Sequence, residues 1–220
     1  MATLGEYISK GSGTTKLLLH LNGNSTDDSG NSNNGTDTSI TYSQANGRFG
    51  QGAGFNGTSS KIDLGDVASL EGLTEMTISV WFKTTLTSSG ALLQKELVYQ
   101  TAVVASGLVN TAIGNGGSWV GGPSSTYSVK DGKWYNLVFT FSDTNNIGII
   151  YINGLLNNSS TINISMGTNT IQAGVGARFS GSWGDYFNGS IDEVILENVV
   201  WTPAQIAKYY TMTKGRFGIL

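Results

Sequence analysis

The chain has 220 residues, no cysteine, 31 glycines and only two prolines, and 12% of its residues are charged, about half of the ~25% typical of soluble domains. The net charge of −3 argues against a nucleic-acid partner, because no basic stripe is present to bind phosphates. No apolar run approaches the ~20 residues that span a bilayer, so membrane insertion is not expected. The opening residues also lack the charged head and apolar stretch of a signal peptide.

Short strands separated by turns are predicted along most of the chain. Residues 1–15 are interpreted as a flexible N-terminal arm with a GSG hinge. The apolar run at 16–21 predicts a strand buried on both faces. Alternating apolar residues predict a strand at 77–83 and, after a turn at Asp131-Gly132, another strand up to residue 142. Asn153-Gly154 lies between two apolar arms and is typical of a type I′ hairpin turn.

Further strands are predicted within 102–106, 172–179 and 189–196. The segment that follows them breaks this pattern of strands. In WTPAQIAKYY, Thr202 and Gln205 form a capping box and Pro203 suits the first helical position. The sequence therefore predicts one short helix of about two turns that ends before Gly215 and covers a sheet edge or the open end of the fold.

Six segments, in this order, carry a family resemblance: LHLNGNSTDDSGNSNNGT, GRFGQGAGFNGTSSKIDLGD, MTISVWFKT, DGKWYNLVFTFS, GIIYINGLL and FNGSIDEVILENVVWTPAQI. Together they resemble the laminin G-like, concanavalin A-like jelly-roll family over residues 16–210. The resemblance implies an all-β jelly-roll sandwich of two antiparallel sheets with one short C-terminal helix, forming a single domain over 16–220. A stand-alone domain without signal peptide or cysteine also resembles phage-encoded members of that family.

The polar segment DDSGNSNNG at 27–35 raises the question of a metal site. An EF-hand would need glycine at its sixth position and glutamate at its twelfth, but these positions hold Ser32 and Thr38. Because the residues are turn formers, we expect a structured loop between the first two strands. The family resemblance keeps one Ca²⁺ site open, with Asp27 and Asp192 as its matching carboxylates, although Asn22 stands where relatives tend to have aspartate.

Catalysis is not expected. Glu193 and Glu197 would share a strand face about 13 Å apart, whereas glycosidases need their two carboxyl groups at about 5 to 9.5 Å. Asp192 is predicted on the opposite face. His20, the single histidine, is expected to be buried or to anchor a turn rather than to act as a base. A glycoside hydrolase is kept only as a remote alternative.

Two aromatic loops are the candidate binding surfaces. Trp119 and Tyr127 lie in a glycine-rich loop around 113–127, and Trp183, Asp185 and Tyr186 lie in a second loop around 178–187. A flat ring offers an apolar face to a sugar, and neighbouring polar groups can bind its hydroxyls. Glycan contact, protein contact and simple packing all stay open for these tryptophans. Trp81, Trp134 and Trp201 are expected to be structural.

Two functional classes follow. The first is a non-catalytic glycan-binding module displayed on a viral (phage) particle. The second is a structural virion decoration or tail-associated protein that contacts other virion proteins. In either class we expect the chain on a virion or an extracellular surface, and a homo-oligomer is compatible with both.

Overall fold

The computed structural model describes residues 14–215. Two antiparallel sheets pack face to face around one large hydrophobic core, and the described part of the chain contains one α-helix, near its C-terminal end. The predicted all-β sandwich is therefore confirmed. Within these residues, no helix has the length and apolar character needed to cross a membrane.

The first sheet has eight strands. Its main path, with each strand hydrogen-bonded to the next, runs β13 (Leu155–Thr161), β12 (Ile147–Ile152), β11 (Trp134–Ser142), β6 (Glu75–Thr84), β17 (Asn188–Glu197), β4 (Gly52–Asn56) and β3 (Thr41–Ser43). Strand β1 (Thr15–Leu19) also pairs with β17.

The second sheet has seven strands. Its order is β10 (Trp119–Gly121), β9 (Val109–Gly114), β8 (Tyr99–Val103), β7 (Gly90–Lys95), β14 (Ala173–Val175), β5 (Lys61–Gly65) and β2 (Thr36–Thr38). A small hairpin of β15 (Arg178–Phe179) and β16 (Trp183–Gly184) stands apart, and short 3-10 helices lie at Gln44–Asn46 and Ala68–Leu70.

The sequence patterns predicted much of this core. Leu17 and Leu19 of β1 face the main core while Leu18 packs on the other side, so this strand is buried on both faces as predicted. The alternating residues of β6 and β11 also point into the main core. Asn153 and Gly154 have φ angles of 54° and 78°, as a type I′ turn requires. The predicted arm falls mostly outside the described residues, but Thr15 already pairs with Glu197.

The helix differs from its prediction in length and place. The capping box of Thr202 and Gln205 is present, but the helix runs from Pro203 to Lys214, 12 residues rather than two turns. It lies mainly across the outer face of the eight-stranded sheet and also reaches the edge strand β13, so covering an edge is only part of its role. Ile206 and Tyr209 pack there against side chains of β1, β11, β12 and β17, with Trp201 beside them. The helix thus buries a second hydrophobic cluster.

A bulge in β17 changes which side its acidic residues face. Ile191 and Val194 both face the main core, the strand register shifts between Asp192 and Ile195, and Glu193 has a positive φ of 50°. Asp192 and Glu193 therefore both lie on the outer, helix-covered side. The prediction that Asp192 faces away from Glu193 is wrong, because it assumed an unbroken strand.

Candidate functional site

The loop 27–35 is organised around the Asp27 carboxylate. One carboxylate oxygen accepts from the backbone N–H groups of Leu18 and Ser29, at 3.0 and 2.9 Å. The other accepts from the Ser29 hydroxyl and the Asn33 backbone N–H, both at 2.8 Å. The expected structured loop is confirmed, and Asp27 holds it to the first strand.

These contacts bear directly on the calcium prediction. A carboxylate offers about four acceptor positions, and four donors already fill those of Asp27. Asp192 accepts from the backbone N–H groups of Arg48, Phe49 and Glu193. Among residues 14–215 no group of three or more His, Asp or Glu side chains is placed to hold a metal ion. In this arrangement the carboxylates of Asp27 and Asp192 do not fit a calcium site, and we expect added Ca²⁺ to leave the protein unchanged.

The acidic residues of β17 are enclosed. Asp192, Glu193 and Glu197 are 0, 1 and 5% exposed, and burial, followed by the nearby charge of Glu193, raises the pKa of Asp192 to about 8. Glu193 bonds to Nδ1 of His20 at 2.9 Å. Glu197 accepts from the Trp201 indole N–H at 2.7 Å. These carboxylates are tied into the structure beneath the helix, where a saccharide chain cannot reach them.

The second aromatic loop folds onto the seven-stranded sheet. Ala173 and Val175 of β14 face the core, so Gly174 faces outward, and a Cβ there would come within 2.6 Å of the Trp183 ring. Trp183 therefore lies on the outer face of the sheet, half-buried. Phe179 meets the ring edge-on at 5.3 Å between centroids, and the Lys61 ammonium lies 5.4 Å from the ring centroid.

Asp185 supports this loop rather than standing free. Its carboxylate pairs with Arg178 at 2.8 Å, and its backbone carbonyl accepts from the N–H of Ala91 in β7. Arg178 also approaches Glu96 at 3.4 Å. Tyr186 follows in the same loop and is half-buried. The charges around Trp183 thus compensate one another.

Trp119 lies at the far edge of the same sheet. It pairs with Gly114, the residue after core-facing Ile113, and this register places the indole on the outer face. The ring is half-exposed and packs against neither hydrophobic cluster of the described residues. β10 and β14 are four strand spacings apart, so the two tryptophans lie about 19 Å from each other across the sheet.

The Gln100 amide lies between the two rings. The register aligns Gly174, Gln94, Gln100 and Ala112 in one row across four strands. Gln100 donates to Asn110 at 2.9 Å, and Asn110 donates to Ser124 at 3.0 Å. We call the surface that is bounded by Trp119 and Trp183 and carries Gln100 the tryptophan face; Asn110 lies at its border, four residues from Gly114 along β9.

The structure separates Tyr127 from this surface. Trp119 pairs with Gly114, whereas Ser125 pairs with Val109, five residues farther along β9, a span of about 17 Å. Tyr127 is 45% exposed and lies beyond Ser125, at the other end of the strand. The five predicted binding residues therefore do not form one site.

Sequence reasoning missed the amides of the tryptophan face. Gln100 and Asn110 lie in separate strands, and only the register of β8 and β9 brings them together. In the sequence each is one polar residue among apolar neighbours, a pattern that also fits an ordinary solvent-facing position.

Comparisons with solved structures show the fold. Domain 4 of an extracellular arabinanase from Geobacillus stearothermophilus, solved in complex with arabinotriose, is 23% identical, with a TM-score of 0.72 over 90% of this chain and 98% of that chain. The binding domain of Paraclostridial mosquitocidal protein 1 is 14% identical, with a TM-score of 0.74 over 91% of this chain and 52% of that chain. The binding domain of botulinum neurotoxin DC, solved with SialylT, is 13% identical, with a TM-score of 0.69 over 92% of this chain and 52% of that chain. This chain thus spans about half of the two toxin domains.

Comparison of the sequence itself identifies the family. No curated protein sequence matches the chain. A laminin G-like family model does match, over residues 56–207, a region that runs from the end of β4 into the C-terminal helix. The chain belongs to the concanavalin A-like lectin/glucanases superfamily.

Proposed function

We propose that this chain is a non-catalytic glycan-binding module and that its binding surface is the tryptophan face. The observation that carries the proposal is the placement of Trp119 and Trp183 on one outer sheet face, with the Gln100 amide between them. Indole rings bind the apolar face of a sugar, and amides can donate to and accept from its hydroxyls. A span of about 19 Å suits an oligosaccharide better than a monosaccharide.

The charges of this face favour a neutral ligand. Arg178 is paired with Asp185 and Glu96, and the Lys61 ammonium lies over the Trp183 ring. The absence of catalysis belongs to the same proposal, since Asp192, Glu193 and Glu197 are buried. The arabinanase domain that was solved with arabinotriose gives further support and names a first ligand to test.

The size of the tryptophan contribution can be worked out from surface area. A stacked sugar that removes about 60 Å² of indole surface from water at ~25 cal/mol per Å² gains about 1.5 kcal/mol, or roughly tenfold in Kd. We therefore expect Trp119→Ala and Trp183→Ala each to weaken binding about tenfold. Tyr127→Ala is the matched control, because it removes an exposed aromatic ring that lies away from the face.

The test is a screen of neutral oligosaccharides, arabinotriose included, followed by calorimetric titration of the hits with the three variants. Loss of affinity in the two tryptophan variants, with Tyr127→Ala unchanged, supports the proposal. Equal affinity in all variants, or no neutral ligand in the screen, contradicts it.

A second candidate function, protein contact, is favoured by an exposed apolar patch. Leu155 and Leu156 on the edge strand β13 are 73% and 66% exposed. Thr126 bonds to Asn157, and Ser124 to Asn158, so Tyr127 runs alongside these leucines. Patches of this kind mark interaction sites. Display on a virion or extracellular surface stays a prediction for either function, and virion proteins as partners stay a prediction of the second.

The protein-contact function has its own test. Mass photometry of the purified chain shows whether it self-associates, and a Leu155→Ser, Leu156→Ser double variant shows whether this patch is responsible. An oligomer that the double variant dissociates supports protein contact here. A monomer in both forms that also fails to join virion proteins contradicts it.

A further inference from the structure

A polar groove lies on the opposite side of the molecule from the tryptophan face. It has a volume of about 550 Å³ and opens on the outer face of the eight-stranded sheet. The strand register defines its axis: Thr41 of β3, Gly54 of β4, Ser190 of β17, Lys83 of β6 and Trp134 of β11 pair in sequence across five strands. Each of these residues precedes or follows a core-facing residue, so all five face outward.

Glycines and a fixed asparagine shape the groove. Gly54 and Gly189 belong to its lining, and the missing side chain of Gly54 lets Asn46 pack against β4. Asn46 forms a wall: its amide donates to the Thr41 carbonyl at 3.1 Å, and its side-chain oxygen accepts from the Ser190 hydroxyl at 3.2 Å. A Cβ on Gly54 would come within 2.3 Å of that amide nitrogen. The groove is thus held in shape by its own hydrogen bonds.

Other lining groups are available to a ligand. Within the described residues, no hydrogen bond engages the side chains of Ser39, Thr41 or Asn188, and all three are exposed. The Lys83 ammonium makes one long contact, 3.4 Å, with the carbonyl of Ala45. It also lies 5.3 Å from the centroid of the half-exposed Trp134 ring. One cation, several hydroxyl and amide groups and one aromatic ring therefore line or border the same opening.

The charge of the groove indicates the ligand. Its lining contains Lys83 but neither aspartate nor glutamate, although the chain as a whole carries a net charge of −3. A carboxylate on Lys83 would form a charge-assisted hydrogen bond. Hydroxyls and amides suit sugar hydroxyls, and the Trp134 ring suits the apolar face of a sugar ring. We propose that this groove is a second binding site and that its ligand is an acidic saccharide, one carrying a uronic or sialic acid.

The test uses the full chain, labelled with ¹⁵N, in NMR titrations. The probes are 3′-sialyllactose and trigalacturonate, with lactose as the neutral counterpart and acetate as the simple anion. We expect the acidic sugars to shift the backbone amides of Thr41, Lys83 and Asn188 and the indole N–H of Trp134. We expect lactose and acetate to leave them unchanged at equal concentration.

Two substitutions at one position test the role of the charge. Lys83→Gln keeps a long polar side chain and is expected to weaken the acidic sugars about tenfold or more, the loss of one charge-assisted hydrogen bond. Lys83→Arg keeps the charge and is expected to retain binding. Shifts that Lys83→Gln does not weaken, shifts produced equally by acetate, or no shifts with either acidic sugar overturn the proposal.

This inference stands apart from the tryptophan face. Trp119→Ala leaves the groove untouched and is expected to bind acidic sugars like the parent chain. Lys83→Gln is likewise expected to keep any neutral ligand of the tryptophan face. Failure at one surface is therefore distinguishable from failure at the other.

Discussion

Replacing Trp81 with alanine tests how the helix and the eight-stranded sheet hold each other. Trp81 points outward from β6 yet is only 1% exposed. Its ring stacks on Tyr210 of the helix, with centroids 5.8 Å apart and planes at 17°, and meets Phe49 edge-on at 5.8 Å. The Arg48 guanidinium lies 4.8 Å from the ring centroid. One indole thus joins the sheet, the helix and the segment that contains Arg48 and Phe49.

The expected cost follows from this burial. Truncating a buried tryptophan to alanine costs about 3–5 kcal/mol, which for a domain of this size lowers Tm by roughly 6–20 °C. Trp134→Ala is the matched control, because Trp134 is outward-facing on the neighbouring strand but only half-buried. Its loss is expected to cost about 1 kcal/mol.

The assay is urea unfolding followed by far-UV circular dichroism, since both variants remove a tryptophan and so alter fluorescence. We expect the free energies of unfolding of Trp81→Ala and Trp134→Ala to differ by at least about 2 kcal/mol. Equal costs for Trp81→Ala and Trp134→Ala would refute the reasoning that the helix covers one ring and leaves the other open.

Three further predictions concern the acidic residues. Asp27→Ala removes the acceptor from four donors and is expected to cost about 3 kcal/mol in urea unfolding; a cost below about 1 kcal/mol would contradict the role of Asp27 as loop organiser. The folded-state pKa of Asp192, raised to about 8 by burial and by Glu193, exceeds the ordinary value of ~3.9, so its contribution to stability is full below about pH 4 and is lost as pH rises through about 8. Between pH 5 and pH 8 the parent chain should therefore lose about 3.5 kcal/mol more than Asp192→Asn, and parallel pH profiles would show that Asp192 does not titrate in this range. Millimolar Ca²⁺ is expected to leave Tm unchanged, because the Asp27 carboxylate is filled; a rise in Tm that Asp27→Asn abolishes would instead establish the calcium site predicted from the sequence.

Local signals in the sequence predicted the local structure. The turn at Asn153-Gly154, the capping box at Thr202 and the alternation in β6 each depend on neighbouring residues, and the structure contains all three. Trp81 shows the limit of predictions from local sequence patterns. Alternation placed it on an outward face, but only the fold shows that the helix covers that face.

The pairing register of strands that are distant in sequence determined the features that the sequence alone did not predict. The bulge at Glu193 moved Asp192 to the helix side of β17, and no glycine or proline in IDEV signalled it. The candidate site follows the same rule. Trp119 and Trp183 are 64 residues apart in the chain. They share a sheet face because β10 and β14 belong to one sheet and the Trp183 ring, from β16, packs over Gly174 of β14. Tyr127, much nearer to Trp119 in sequence, lies at the other end of β9.

The most direct measurement of the proposed function uses the five tryptophans as reporters. Each indole N–H gives one signal in a ¹⁵N-labelled sample, and a neutral oligosaccharide selected by the screen is titrated into it. The account predicts that the signals of Trp119 and Trp183 shift together with one Kd while those of Trp81 and Trp201, buried under or beside the helix, stay in place. Saturation binding that leaves both Trp119 and Trp183 unmoved would contradict the assignment of the tryptophan face as the glycan-binding surface.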